Sequence, residues 1–108
     1  MIVTITQVPT PPAPSFQGDI TATGTLQATA APLTARVNVV TVAPAGSGVL
    51  LTSAVTEQKV LNRGTAALAV YPPPGQAIEV AALNAPAAVA VGGAATFDFD
   101  GVDTWWVS

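Results

Sequence analysis

The sequence contains no histidine and no cysteine, and only three basic residues, Arg36, Lys59 and Arg63. Without imidazole, no side chain titrates near neutral pH at its ordinary value. Without thiol there is no sulfur nucleophile, no thiolate metal ligand and no disulfide. A single lysine leaves little scope for amine chemistry. These absences count against an enzyme and against a cofactor or metal centre. They favour a protein that presents a surface or holds other molecules together. Charge is scarce as well. Charged residues are 8% of the chain, against about 25% in ordinary soluble domains. A net charge of −3 does not attract phosphates, so no nucleic acid partner is expected. Thin charge also gives weak protection against association, as suits a subunit of an assembly. No apolar run is long enough to span a bilayer. The most apolar stretch, 81–95, is interrupted by Asn84, Pro86 and Gly92-Gly93, so no membrane partner is expected. Met1–Val8 has neither the basic start nor the long apolar run of a signal peptide. The expectation is a chain that stays where it is made until it assembles.

What is present is alanine, valine, threonine and proline. At 108 residues the chain is long enough for one domain with an added arm. It is 50% apolar but only 6% aromatic, so its core is built from small side chains. Small domains already leave much surface exposed. An alanine-rich core weakens burial further, so self-association is expected to contribute.

The arm is read over residues 1–18 and the domain over 19–108. Met1–Val8 is strand-like, with Ile2, Val3, Ile5 and Val8 among Thr and Gln. Prolines at 9, 11, 12 and 14 then exclude helix and central strand and favour polyproline II. That stretch is either a stiff spacer or a tether that carries Ile2–Val8 onto a neighbouring subunit. Its P-x-x-P pattern, Pro11 to Pro14, is a weak signal for groove docking.

Further on, Ile20–Ala30 alternates apolar residues with threonine and glutamine, the period of a half-buried strand, with a bend or bulge at Gly24. Leu33–Ala43 reads as a second strand. Val37 and Val39 share one face and Val40 and Val42 the other, which implies burial on both sides or a bulge. Val49-Leu50-Leu51 starts a short strand. Residues 58–71 read as a hairpin around Asn62-Arg63-Gly64. Ile78–Leu83 and Ala87–Val91 are weaker strands. In 96–107 two alternating segments flank Asp100-Gly101, a strong hairpin signal. Phe97, Phe99, Trp105 and Val107 fall on one face, which leaves Trp106 on the other. Many short strands between Gly, Pro and Asn turns predict an all-β fold, a compact antiparallel sandwich or barrel with an extended Pro-rich N-terminal arm.

Three constellations invite chemistry. Asp98, Asp100 and Asp103 suggest a cation loop, but the glycine comes too early for an EF-hand and a turn with acidic flanks explains the spacing. The same carboxylates lack opposing partners for a glycosidase pair. Trp105-Trp106 with Tyr71 suggests an aromatic sugar platform, against which stands one core and one interface tryptophan.

The second half resembles a module of small structural proteins of tailed bacteriophages. The residues that carry the likeness are Val60-Leu61-Asn62-Arg63-Gly64, then Ala67-Leu68-Ala69-Val70-Tyr71-Pro72, then Gly75 and Ile78. Gly93, Phe97, Asp100-Gly101 and Trp105 match its closing strands. The likeness covers roughly 37–107. The triple proline at 72–74 departs from the pattern, and 9–14 lies outside it. The resemblance implies a non-enzymatic virion protein, made in the bacterial cytoplasm, that forms homotrimers and binds the major capsid protein as a decoration protein. A short head or tail fibre component, or a sugar-binding β-module using Trp106 and Tyr71, are the alternatives. The family carries no catalytic residues to transfer. Interface candidates are Ile2, Val3, Ile5, Val8 and Trp106.

Overall fold

The computed structural model describes residues 15–108. The expectations placed on Met1–Val8 and on the Pro9–Pro14 stretch lie outside those residues.

Ten strands form two mixed sheets. They are β1 (Phe16–Thr21), β2 (Ala31–Pro32), β3 (Val37–Val42), β4 (Gly48–Leu50), β5 (Glu57–Asn62), β6 (Leu68–Tyr71), β7 (Ala77–Ile78), β8 (Ala87–Val89), β9 (Ala94–Phe99) and β10 (Thr104–Val107). One sheet has the order β1-β3-β5-β9-β10-β7, the other β2-β4-β6-β8. The all-β expectation therefore holds. The antiparallel one does not, because most pairings among the described residues are parallel: β1 with β3, β3 with β5, β2 with β4, β4 with β6, and β10 with β7.

The physical reason is the path of the chain. From β1 to β6 it crosses to the other sheet after every strand. Each strand then lies beside the one laid down a full circuit earlier and runs the same way. Phe16 pairs with Val37 and Val37 with Lys59, so a circuit takes about twenty-one residues, enough for a parallel crossover. Residues 58–71 are accordingly not a hairpin, since β5 and β6 belong to different sheets. The Asn62-Arg63-Gly64 turn exists but hands the chain across instead of back. Asn62 Oδ1 accepts the Gly64 N–H at 3.0 Å, while Nδ2 donates to the carbonyls of Ala66 at 2.9 Å and Val89 at 3.0 Å. Gly64 lets the crossing run against the previous circuit, because a Cβ there would lie 2.5 Å from Ala43 Cβ.

Ile20–Ala30 is likewise not one strand. β1 stops at Thr21, Gly24 takes φ 70, and a 3-10 turn follows over Gln27–Thr29. A side chain at Gly24 would collide with Thr29, so glycine is required at that bend. β1 itself begins at Phe16, which puts residues 16–18 in the sheet and not in an arm. The strand read from Ile78 ends at once, because Glu79 turns to φ 51 and its carboxylate accepts the Val107 N–H at 2.9 Å.

The two sheets share one hydrophobic cluster. It includes Ile20, Leu33, Val40, Val49, Leu51, Val60, Leu68, Val70, Ile78, Val89, Phe97 and Trp105. Trp105 and Phe97 are its largest fully buried side chains. The final hairpin forms as read, with Trp105 opposite Phe99 and Val107 opposite Phe97. Phe99 stacks on Trp105 with ring centroids 4.8 Å apart. The indole N–H of Trp105 donates to Gln76 Oε1 at 2.8 Å, so its polar edge is satisfied.

Candidate interaction surface

Strand alternation sorts the six-stranded sheet into two faces. Asn38, Val40, Gln58, Val60, Asn62, Phe97 and Trp105 are buried on the inner one. Phe16, Val37, Val39, Lys59, Leu61, Asp98 and Trp106 occupy the opposite phase, on the outer one. Phe16 is 61% exposed and Trp106 52% exposed. Val37, Val39 and Leu61 are half-buried between them. A one-sided sheet normally turns polar side chains to water, whereas parallel sheets are normally covered on both faces. The β1-β3-β5 part of this sheet is parallel and apolar outside, with nothing among the described residues laid over it. The two-sided valine pattern read in Leu33–Ala43 has this meaning for Val37 and Val39; Val42 itself is exposed.

A shallow groove of about 280 Å³ runs over this face, lined by Ser15, Arg36, Val37, Glu57, Lys59 and Thr96. Arg36 Nη2 lies 3.7 Å from Glu57 Oε1, with both side chains more than half exposed. Such a pair contributes little to stability. Glu57 stands directly opposite Asp98 on β9, and Asp98 opposite Trp106 on β10. Like charges across a strand pair repel, and Arg36 offsets part of that repulsion. Lys59 has no ion-pair partner among the described residues.

Trp106 is thus on the surface, as its position beside buried Trp105 requires. Tyr71 is not beside it. Tyr71 belongs to the other sheet, is 8% exposed, and donates its hydroxyl to the Thr25 carbonyl at 3.2 Å. The 3-10 turn that covers it is tied down by Gln27 Nε2, which donates to the Pro72 carbonyl at 2.7 Å. The two aromatic residues therefore form no common sugar platform. The other sheet carries a groove of about 270 Å³ lined by small residues such as Gly46, Ala67, Ala69 and Ala88.

The acidic turn is a turn. Asp100 Oδ1 accepts the backbone N–H groups of Val102 at 2.8 Å, Asp103 at 3.1 Å and Thr104 at 3.2 Å. The bonds from Val102, Thr104 and Asp103 hold its carboxyl below the ordinary value of 3.8, outweighing a small opposing effect of desolvation. Among the described residues no three acidic groups gather as a metal site.

Sequence reasoning missed the buried amides. Asn38 Nδ2 donates to the carbonyls of Ala35 at 2.8 Å and Lys59 at 3.2 Å. Gln58 Nε2 donates to Thr52 at 2.7 Å and Val55 at 2.9 Å. The signal was phase: Asn38 alternates with Val40, and Gln58 and Asn62 with Val60. Ile2, Val3, Ile5 and Val8 lie outside the described residues, so Trp106 is the one interface candidate that can be placed. Compared with protein-family models, curated proteins and solved structures, the chain matches none.

Proposed function

We propose that this chain is a non-enzymatic virion structural protein of the capsid decoration type, which binds major capsid subunits and stabilises the head. The observation that carries this reading is the uncovered apolar outer face of the six-stranded sheet, bounded by Phe16 and Trp106. A chain without histidine or cysteine, and with 8% charged residues, has little else to offer a partner than such a face. The module-like order of turns and aromatic residues over 37–107 supports the same assignment. The mechanism is mechanical: a rigid two-sheet domain adds contact area across capsid subunits and resists their separation. Contact energy of this kind comes mainly from a few buried aromatic anchors, and Trp106 is one on this face.

The test is co-sedimentation of the purified chain with expanded, undecorated phage heads, followed by labelling of the particles. Saturable binding at fixed stoichiometry on the head surface is expected. Labelling confined to the tail would reassign the chain to a short fibre. Absence from every particle fraction would refute the virion role.

A further inference from the structure

We propose that the outer face of the six-stranded sheet is a two-fold interface with a second copy of this chain. The inference is separate from the virion reading, because self-association and particle binding are read in different experiments.

Three observations converge on it. The first is cover. Parallel β1, β3 and β5 present Phe16, Val37, Val39 and Leu61 outward, where such sheets are normally buried. The second is size. Five strands about 4.8 Å apart and about six residues long give a face of roughly 24 by 20 Å. Two copies together then bury on the order of 1,000 Å², the lower bound for a specific interface. The area points to a dimer that dissociates in the micromolar range.

The third is charge. A two-fold interface must be self-complementary: if residue i meets residue j, then j meets i. Lys59 pairs with Thr96 and Glu57 with Asp98, so Lys59 and Asp98 stand on adjacent strands, two residues apart in register. Neither has an ion-pair partner among the described residues, and 1–14 contain no acidic or basic side chain. An axis in the plane of the face, passing midway between them, sets each Lys59 against Asp98 of the other copy. The same rotation brings Trp106 over the Leu61–Ala94 row of the other copy. Glu57 falls near the axis, where the Arg36 already beside it offsets the approach of two carboxylates.

The test is a charge-reversal exchange read by sedimentation across the micromolar range. The unmodified chain should show a concentration-dependent dimer. Lys59→Asp alone, and Asp98→Lys alone, each place like charges opposite twice over, and each should raise the dimer dissociation constant by about tenfold or more. An equimolar mixture of the two should recover the original association, because every facing pair is again of opposite sign. Trp106→Ala should weaken the dimer without a change of charge. Both charged sites are on the surface, and circular-dichroism melts that match the unmodified chain confirm folding. A monomer at every concentration would overturn the proposal. So would association indifferent to both reversals, including a trimer of that kind, or a mixture that fails to recover.

Discussion

Replacing Asn62 with alanine is expected to cost about 3 kcal/mol, from three hydrogen bonds at about 1 kcal/mol each. Asn62 is fully buried. Its carboxamide serves the Gly64 N–H and the carbonyls of Ala66 and Val89, three backbone groups that hold one crossing between the sheets. Alanine removes all three partners at once and leaves a space too small and apolar to hydrate them fully. Against a total stability of about 5–15 kcal/mol for a domain of this size, the loss is large. Urea unfolding followed by circular dichroism is the assay. With a slope of about 1.5 kcal/mol/M, the midpoint should fall by about 2 M with the slope unchanged. Asn62→Asp sharpens the test. It keeps the shape but turns a carboxylate oxygen toward two carbonyls, so the folded-state pKa is raised. The folded chain then holds its proton at pH values where the unfolded chain has lost it. Stability of that variant should therefore fall as pH rises through the window between the ordinary and the raised value. A midpoint shift below about 0.5 M for Asn62→Ala would sink the claim that this amide holds the crossing.

Other outcomes follow from the same geometry. Trp105→Ala should lower stability by about 3–5 kcal/mol, while Trp106→Ala should change the monomer by about 0.5 kcal/mol or less; equal losses in denaturant melts would mean the facing is wrong. The Asp100 carboxyl should titrate below 3.8 in a carbon-detected NMR series. Its contribution is present above that value and lost as pH falls through the lowered folded one, so a midpoint above 3.8 would contradict the turn geometry. Gly64→Ala should destabilise by about 1–3 kcal/mol, because the new methyl meets Ala43 and its backbone at 2.5–2.7 Å; an unchanged melt would show that the crossing can relax. Removal of 1–14 should leave the melting of the two-sheet domain intact, since the described core begins at Ile20, and should weaken binding to undecorated heads; full affinity would make Ile2, Val3, Ile5 and Val8 dispensable.

Where contacts were local, the sequence was readable. The hairpin over β9 and β10 could be read because Phe97 and Phe99 alternate, Asp100-Gly101 turns the chain, and the pairing strand follows within a few residues. The opposite facing of Trp105 and Trp106 needed only the two-residue period of a strand. The turn at Asn62-Arg63-Gly64 was also visible, but its direction was not. A turn motif marks where the chain bends; whether the next strand returns beside the last or crosses over depends on what waits on each side. Here β5 already had β3 and β9 as neighbours, and β6 found β4. The candidate face was half legible. Trp106 could be placed outside from adjacency, whereas Phe16 was assigned to an arm, because its partner Val37 lies a full circuit away.

By itself, then, the sequence determined an all-β chain with no imidazole or thiol chemistry, a buried Trp105 and an outward Trp106. These depend on composition and on period-2 geometry, which the neighbouring residues set. Only the tertiary structure decided the parallel winding, the burial of Asn38, Gln58 and Asn62, and the joining of Phe16, Lys59, Asp98 and Trp106 on one face. Each of these depends on partners far along the chain. An amide can be buried only where another segment brings it backbone groups to bond, and a face exists only once register is fixed across strands from separate circuits.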